Sequence, residues 1–364
     1  MSQTPSNDLR SVVQQNFRTF EKQWLWLREN LSTAEDRNEG VLENKRDFTL
    51  HQTMRKWRRS TLRETWFKLF LFFEKFGVHV LPKSFYTAIQ DFHWLAGNKP
   101  LWIKRSGLSA VDWDTKKQME WLAQTCQPYC REVEGLTAYH EILERNPGPG
   151  YGPIESQVLH CFIRSRAPAR IVEIGSGCST MCMVNATALN EREGRRLSRI
   201  TCVEPYASKA LQELPNVTLI KQPCQAVSSS VFSQLRAGDL LFIDSSHAVK
   251  VGSDVIRIYL EIIPNLPAGV FIHIHDINLP YLYDRSTLSS YYTNNSQETA
   301  LLAALLIGNR HLSVLASLSA LHYDESGDLG KLLSDYHPQT NDEGLCPSYP
   351  PKGTFPNSVW IKTC

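Results

Sequence analysis

Little in this chain would send it to a membrane, a nucleic acid or an oxidising compartment. No apolar run in its 364 residues approaches the roughly 18 that a bilayer span requires. The first residues lack the apolar stretch of a signal peptide. Lys and Arg number 39 against 37 Asp and Glu, and the net charge of +2 is too small for a general nucleic-acid signal. The nine cysteines (Cys126, Cys130, Cys161, Cys178, Cys182, Cys202, Cys224, Cys346 and Cys364) are scattered and odd in number, and no C-x-x-C occurs. Neither a zinc ribbon nor a disulfide framework fits that pattern. Buried, reduced thiols in a cytoplasmic protein do. The third glycine of a dinucleotide fingerprint is missing too: Thr180 stands where it would close the motif begun by Gly175 and Gly177.

What is present is organised around Ile171-Val172-Glu173-Ile174-Gly175-Ser176-Gly177-Cys178-Ser179-Thr180. A β-branched run, a glycine turn and a helical pattern from Met181 to Leu189 read as strand, tight loop and returning helix. Alternation then continues. Strands are expected at 199–204, 217–220, 239–244, 270–276, 312–315 and 358–361, with helices over 255–263 and 297–307. The pattern predicts an α/β fold with a doubly wound, mostly parallel, seven-stranded Rossmann-like sheet. Upstream, the turn cluster 146–153 marks a boundary, giving a helical N-terminal extension over 1–145 and a ligand-binding domain over 146–364. Within the extension, Val13, Phe17, Phe20, Trp24, Leu27 and Leu31 form a heptad seam over 9–31, an accessory helix or a homodimer contact. Residues 55–75 carry seven Lys/Arg against two Glu, interleaved with aromatics. They suit a core helix with a solvated basic face, and secondarily a peripheral membrane contact.

Acids collect where such sheets bind ligands, at the carboxyl ends of strands: Glu173, Glu204, Asp244 and Asp276. An acid at Glu173 would repel a pyrophosphate but attract the ammonium of S-adenosylmethionine. Glu204 ends the second strand and is placed to accept ribose hydroxyls. Asp244 and Asp276 would share one crevice and suit Mg2+ or another divalent cation, which lowers the pKa of an acceptor hydroxyl. His247 is the candidate base, and His275-Asp276 a second catalytic pair. His273 reads as a core histidine.

These stretches, together with 76–82, 148–155 and 358–361, resemble the class I S-adenosylmethionine-dependent methyltransferases of methyltransferase family 24. The likeness covers about three quarters of the chain from residue 76 onward. It implies that Glu173, Gly175, Ser176 and Gly177 line the methionine end of the cofactor. By the same likeness Glu204 holds the ribose and Tyr151 closes over the cofactor; Ser179 and Asp244 complete the candidate cofactor set. A more distant resemblance, to metal-dependent catechol-type O-methyltransferases, matches Asp244 and Asp276 to metal aspartates and puts His247 where a basic lysine acts. Ile277 stands where that pattern has an asparagine ligand, so either His275 is the third ligand or no metal binds. The expected activity is methyl transfer to a hydroxyl, less favourably an amine, of a small-molecule or natural-product acceptor. A NAD-dependent oxidoreductase and a non-catalytic binding module are the alternatives.

Overall fold

The computed structural model describes residues 64–81, 89–145, 150–214, 216–283, 297–339 and 353–364. The chain divides after Thr87 into two compact units. In the first, residues 64–74 are helical. Phe72 meets Phe73 and Phe76 edge-on there, at 5.5 and 5.3 Å. The heptad segment 9–31, and residues 55–63 of the basic aromatic stretch, lie outside the described residues.

The second unit begins at Ala88. Two helices assigned above to the extension, α1 (Thr115–Cys126) and α2 (Thr137–Glu144), pack into the same core as the sheet. Met119, Leu122, Cys126 and Ile142 are their buried contributions. Gln118, also buried, accepts the Ser317 N–H at 2.9 Å. Their apolar faces add to the layer that covers one side of the sheet.

Seven strands follow: β1 (Arg170–Ile174), β2 (Arg199–Val203), β3 (Val217–Ile220), β4 (Leu240–Ile243), β5 (Phe271–Ile274), β6 (Leu312–Ser317) and β7 (Val359–Thr363). Their order across the sheet is β3-β2-β1-β4-β5-β7-β6. Only β7 runs antiparallel, to β5 and β6 on its two sides. Strands β4 and β5 are buried along their whole length, so β4 reads as a continuous apolar run and β5 as one interrupted only by His273. The helices α3 (Pro153–Arg166) and α4 (Cys178–Arg192) lie together against one face. There Trp360 of β7 is wholly buried, 4.4 Å from Phe162 and 4.5 Å from His273, ring centre to ring centre.

Register is what builds the site. Ile174 pairs with Val203 and with Ile243, and Ile243 pairs with Ile274. The residues that follow these four, Gly175, Glu204, Asp244 and His275, therefore emerge level in one row. The row crosses the point between β1 and β4 where the winding direction reverses, which is where open parallel sheets bind ligands.

Candidate functional site

The glycine turn is fitted to β4 by contact. Gly175 has φ +82°, and a Cβ there would meet the Asp244 carbonyl oxygen at 2.0 Å. Backbone hydrogen bonds lock the junction: Gly175 N–H to the Val203 carbonyl at 3.0 Å, Asp244 N–H to the Ile174 carbonyl at 2.8 Å. Beyond the turn, the Gly177 N–H donates to Thr180 Oγ1 at 3.1 Å, which starts α4.

Glu173, expected from the sequence to line the methionine end of the cofactor, stands in β1 two residues before the Gly175 turn. Its side chain is fully buried, accepting from Ser179 Oγ at 2.7 Å, Thr180 Oγ1 at 2.7 Å and Cys202 Sγ at 2.9 Å. Burial pushes its pKa up to about 7, against the lowering effect of those three donors. The carboxylate thus braces the turn from behind. Ser179 is likewise engaged in that brace. Ser176, by contrast, is buried with no partner for its Oγ among the described residues, an open polar atom inside a turn that admits no Cβ at Gly175. A cradle of that kind fits the close approach of a polar ligand. At the end of β2, the part-exposed Glu204 accepts the Tyr206 N–H at 2.7 Å through Oε1. Tyr151, expected to close over the cofactor, follows Gly150 just before α3. It is buried against Phe242, His273 and His275, its hydroxyl 3.1 Å from His273 Nε2. Burial and the neighbouring His275 hold His273 well below the ordinary histidine value, so it is a neutral core residue, as its sequence context suggests.

The acids and histidines converge beside this cradle. Oxygens of Asp244 and Asp276 and a ring nitrogen of His247 lie within 4.8 Å of one another. His247 Nε2 is 3.4 Å from Asp244 Oδ1 and 3.3 Å from Asp276 Oδ2. His275 Nδ1 lies 3.4 Å from Asp244 Oδ1 and 3.7 Å from Asp276 Oδ2, but the ring is buried and tilted onto Tyr151 at 4.9 Å. The group whose donor atoms lie together is thus Asp244, Asp276 and His247, with His275 beside it. Both His247 (φ +57°) and Asp276 (φ +56°) adopt the left-handed region, uncommon for residues with a Cβ and concentrated at functional sites.

Charge follows from this packing. Burial works against ionisation of Asp244, but His275 and His247 overcome it and hold the carboxyl well below the usual range. Burial likewise lowers His247, yet hydrogen bonds to Asp244 and Glu298 outweigh it and push the pKa up to about 11. His275 is raised to about 9, its burial outweighed by Asp276 and Asp244.

Two residues in this site carried no signal in the sequence. Glu298, with no exposed surface, accepts from His247 Nδ1 at 2.6 Å. Asn357 donates through Nδ2 to Asp276 Oδ1 at 2.9 Å, while its own N–H reaches Glu155 and its carbonyl accepts the Ile277 N–H. Ile277 is fully buried, and Asn357 brings the only side-chain amide bonded to Asp276 among the described residues. Both lie far along the chain from the motifs they serve.

Residues 172–277 match the sequence model of a family described as a methyltransferase domain. No curated protein matches the sequence. Among solved structures, the chain is similar to the S-adenosylhomocysteine-bound methyltransferase PaMTH1 of Podospora anserina. That likeness has 19% identity, a TM-score of 0.38, and covers 66% of this chain and 95% of that one. It is also similar to an O-methyltransferase of Bacillus cereus in complex with S-adenosylhomocysteine (13% identity, TM-score 0.36, 66% of this chain and 100% of that one). A third is the Streptomyces achromogenes O-methyltransferase TomG, involved in tomaymycin synthesis (12% identity, TM-score 0.35, 70% and 91%). Likenesses this distant carry no inference about substrate. Strand order, glycine cradle and the match over residues 172–277 agree in pointing to a methyltransferase domain there.

Proposed function

We propose that this methyltransferase methylates a hydroxyl group of a small molecule, with Asp244, Asp276 and His247 activating the acceptor. One observation carries the reading. The carbonyl of Asp244 touches the glycine cradle, while its carboxylate belongs to the three-donor group. Methyl donor and activated oxygen would thus meet at a single residue, and methyl transfer needs chiefly alignment and a deprotonated nucleophile.

The donor set fits a divalent cation: two carboxylates and an imidazole, with Asp276 part-exposed so that water or an acceptor oxygen can complete the shell. Asp244 and Asp276 would hold it, His247 beside them. Such a cation supplies Lewis acidity, which lowers the pKa of a coordinated hydroxyl. Within the chain itself, Glu298 fixes His247 at Nδ1 and leaves Nε2 facing the carboxylates. There the ring is placed to accept the acceptor's proton once its own has left. Asn357 holds Asp276 Oδ1, which turns Oδ2 toward His247. His275 contributes positive charge beside Asp244 from a buried position.

Calorimetric titration with S-adenosylmethionine, with Mg2+ and with chelator, tests the reading, and a parallel NAD(H) titration tests its rival. Micromolar S-adenosylmethionine affinity, about −8 kcal/mol, with no response to NAD(H) is the expected result. NAD(H) binding alone would overturn it. Chelator sensitivity in the presence of a methylated acceptor bears on the cation, and O-methylated product on the acceptor atom.

A further inference from the structure

Beyond the three-donor group, the structure contains a buried acid that none of the motifs explains. Glu298 is the first residue of α5 (Glu298–Leu306) and has no exposed surface. A carboxylate is costly to take out of water unless charges or hydrogen bonds replace its hydration. Those replacements are present. His247 Nδ1 lies 2.6 Å from Oε2, Ser245 Oγ lies 3.2 and 3.3 Å from the two oxygens, and the residue opens the positive end of α5. The neighbouring Thr299 ties the same turn to the sheet by accepting the Asn278 N–H at 3.2 Å. On the other side, the Ser246 N–H and hydroxyl both donate to Asp254, at 2.9 and 2.5 Å. The two residues that lead into left-handed His247 are therefore each held by a carboxylate.

We propose that Glu298 is the positioning residue of the acceptor-activating histidine: it holds the proton on Nδ1, fixes the ring plane and directs Nε2 between Asp244 and Asp276. The inference rests on the reading of His247 given above but concerns a different group. Its logic is that of a carboxylate orienting a catalytic or metal-facing imidazole, where the atom hydrogen-bonded behind the ring decides which nitrogen faces the chemistry. Without Glu298 the imidazole keeps its two aspartate neighbours on one side but loses the bond that fixes its orientation from the other. The ring can then rotate and offer Nδ1 in place of Nε2.

Proton NMR of the full chain tests this with no acceptor in hand. A short bond from Nδ1–H to a buried carboxylate shifts that proton far downfield, and H247A assigns the resonance by its disappearance. Glu298→Gln keeps shape and burial but removes the charge; the resonance is expected to move upfield or vanish while circular dichroism is unchanged. If Glu298→Gln does not fold, Glu298→Asp, one methylene shorter, is expected to show the same upfield movement. Mn2+ titration gives a second readout, with affinity expected to fall about 10–100-fold in Glu298→Gln, the usual cost of losing such a partner. A downfield proton unmoved by either substitution, or absent from the wild-type chain, would overturn the proposal. Failure of Mn2+ to bind any variant, with the proton behaving as expected, would sink the cation reading and leave the positioning role standing.

Discussion

Replacing Gly175 by alanine puts the geometry of the cradle to a quantitative test. At φ +82° an L-residue costs about 1–2 kcal/mol in backbone energy alone. The added Cβ would also stand 2.0 Å from the Asp244 carbonyl oxygen, a distance that no rotamer change can relieve because both atoms belong to, or sit directly on, the backbone. The turn must retreat from β4 by more than an ångström, and the hydrogen bonds Gly175 N–H to Val203 and Asp244 N–H to Ile174 lengthen or break. Each is worth about 1 kcal/mol. Together the loss comes to roughly 3–4 kcal/mol, a large part of the 5–15 kcal/mol that stabilises an ordinary domain. Gly238→Ala is the matched control: φ is +87°, and nothing lies within 4 Å of the added Cβ. It should show only the backbone cost, about 1–2 kcal/mol. Urea unfolding of both variants, read at constant m, separates the two contributions, and S-adenosylmethionine calorimetry on folded Gly175→Ala reports the cradle itself. Equal destabilisation in the two variants, or wild-type cofactor affinity in Gly175→Ala, would refute the claim that contact between the turn and β4 builds the site.

Three further outcomes are expected. Asn357→Ala leaves Asp276 without its amide donor, so Mn2+ affinity should fall and unfolding should become easier by about 1.5–3 kcal/mol, the range for a hydrogen bond to a charged group; wild-type values in both assays would remove the brace. Stability should decline on both sides of neutrality in urea midpoints measured across pH. On the acid side, burial holds His322 at about 4 and His273 well below its ordinary value, so the unfolded chain takes up protons first as pH falls below about 6.5. On the alkaline side, His247 and His275 are raised to about 11 and 9, so their contribution is full below about 6.5 and is lost as pH rises through those values; a flat profile from pH 4 to 9 would contradict both arms. Divalent cation binding at neutral pH should release protons, because His247 enters the group protonated, and titration in buffers of different ionisation enthalpy measures the number.

Much of the sheet was legible because parallel strands buried on both faces appear as β-branched runs of fixed length between turn signals. The glycine turn was legible for a related reason: few residues other than glycine fit where backbone meets backbone. The surroundings of Glu173 were not. Its three donors come from α4 and β2, and none of them can be inferred from the strand that carries it. The partners of Tyr151 were equally hidden: its hydroxyl lies 3.1 Å from Nε2 of His273, a residue 122 positions away.

Glu298 and Asn357 expose a more general limit. Neither belongs to a motif, and each acts on a residue brought near by the sheet: His247 across 51 positions, Asp276 across 81. The residues facing the chemistry sit at strand ends, where the alternation of the fold announces them. Their supports come from segments that return to those ends after long excursions, one entering α5 and the other entering β7. That division is physical. A strand tip can present a carboxylate or imidazole, but its two backbone neighbours leave the ring or carboxylate free to turn. Orientation has to come from a third direction, and in a doubly wound sheet that direction belongs to the connections beyond β5. Asp244, the tip tied directly to the glycine cradle, has its position set by local backbone contact. His247 and Asp276, both in left-handed turns, have theirs set from a distance.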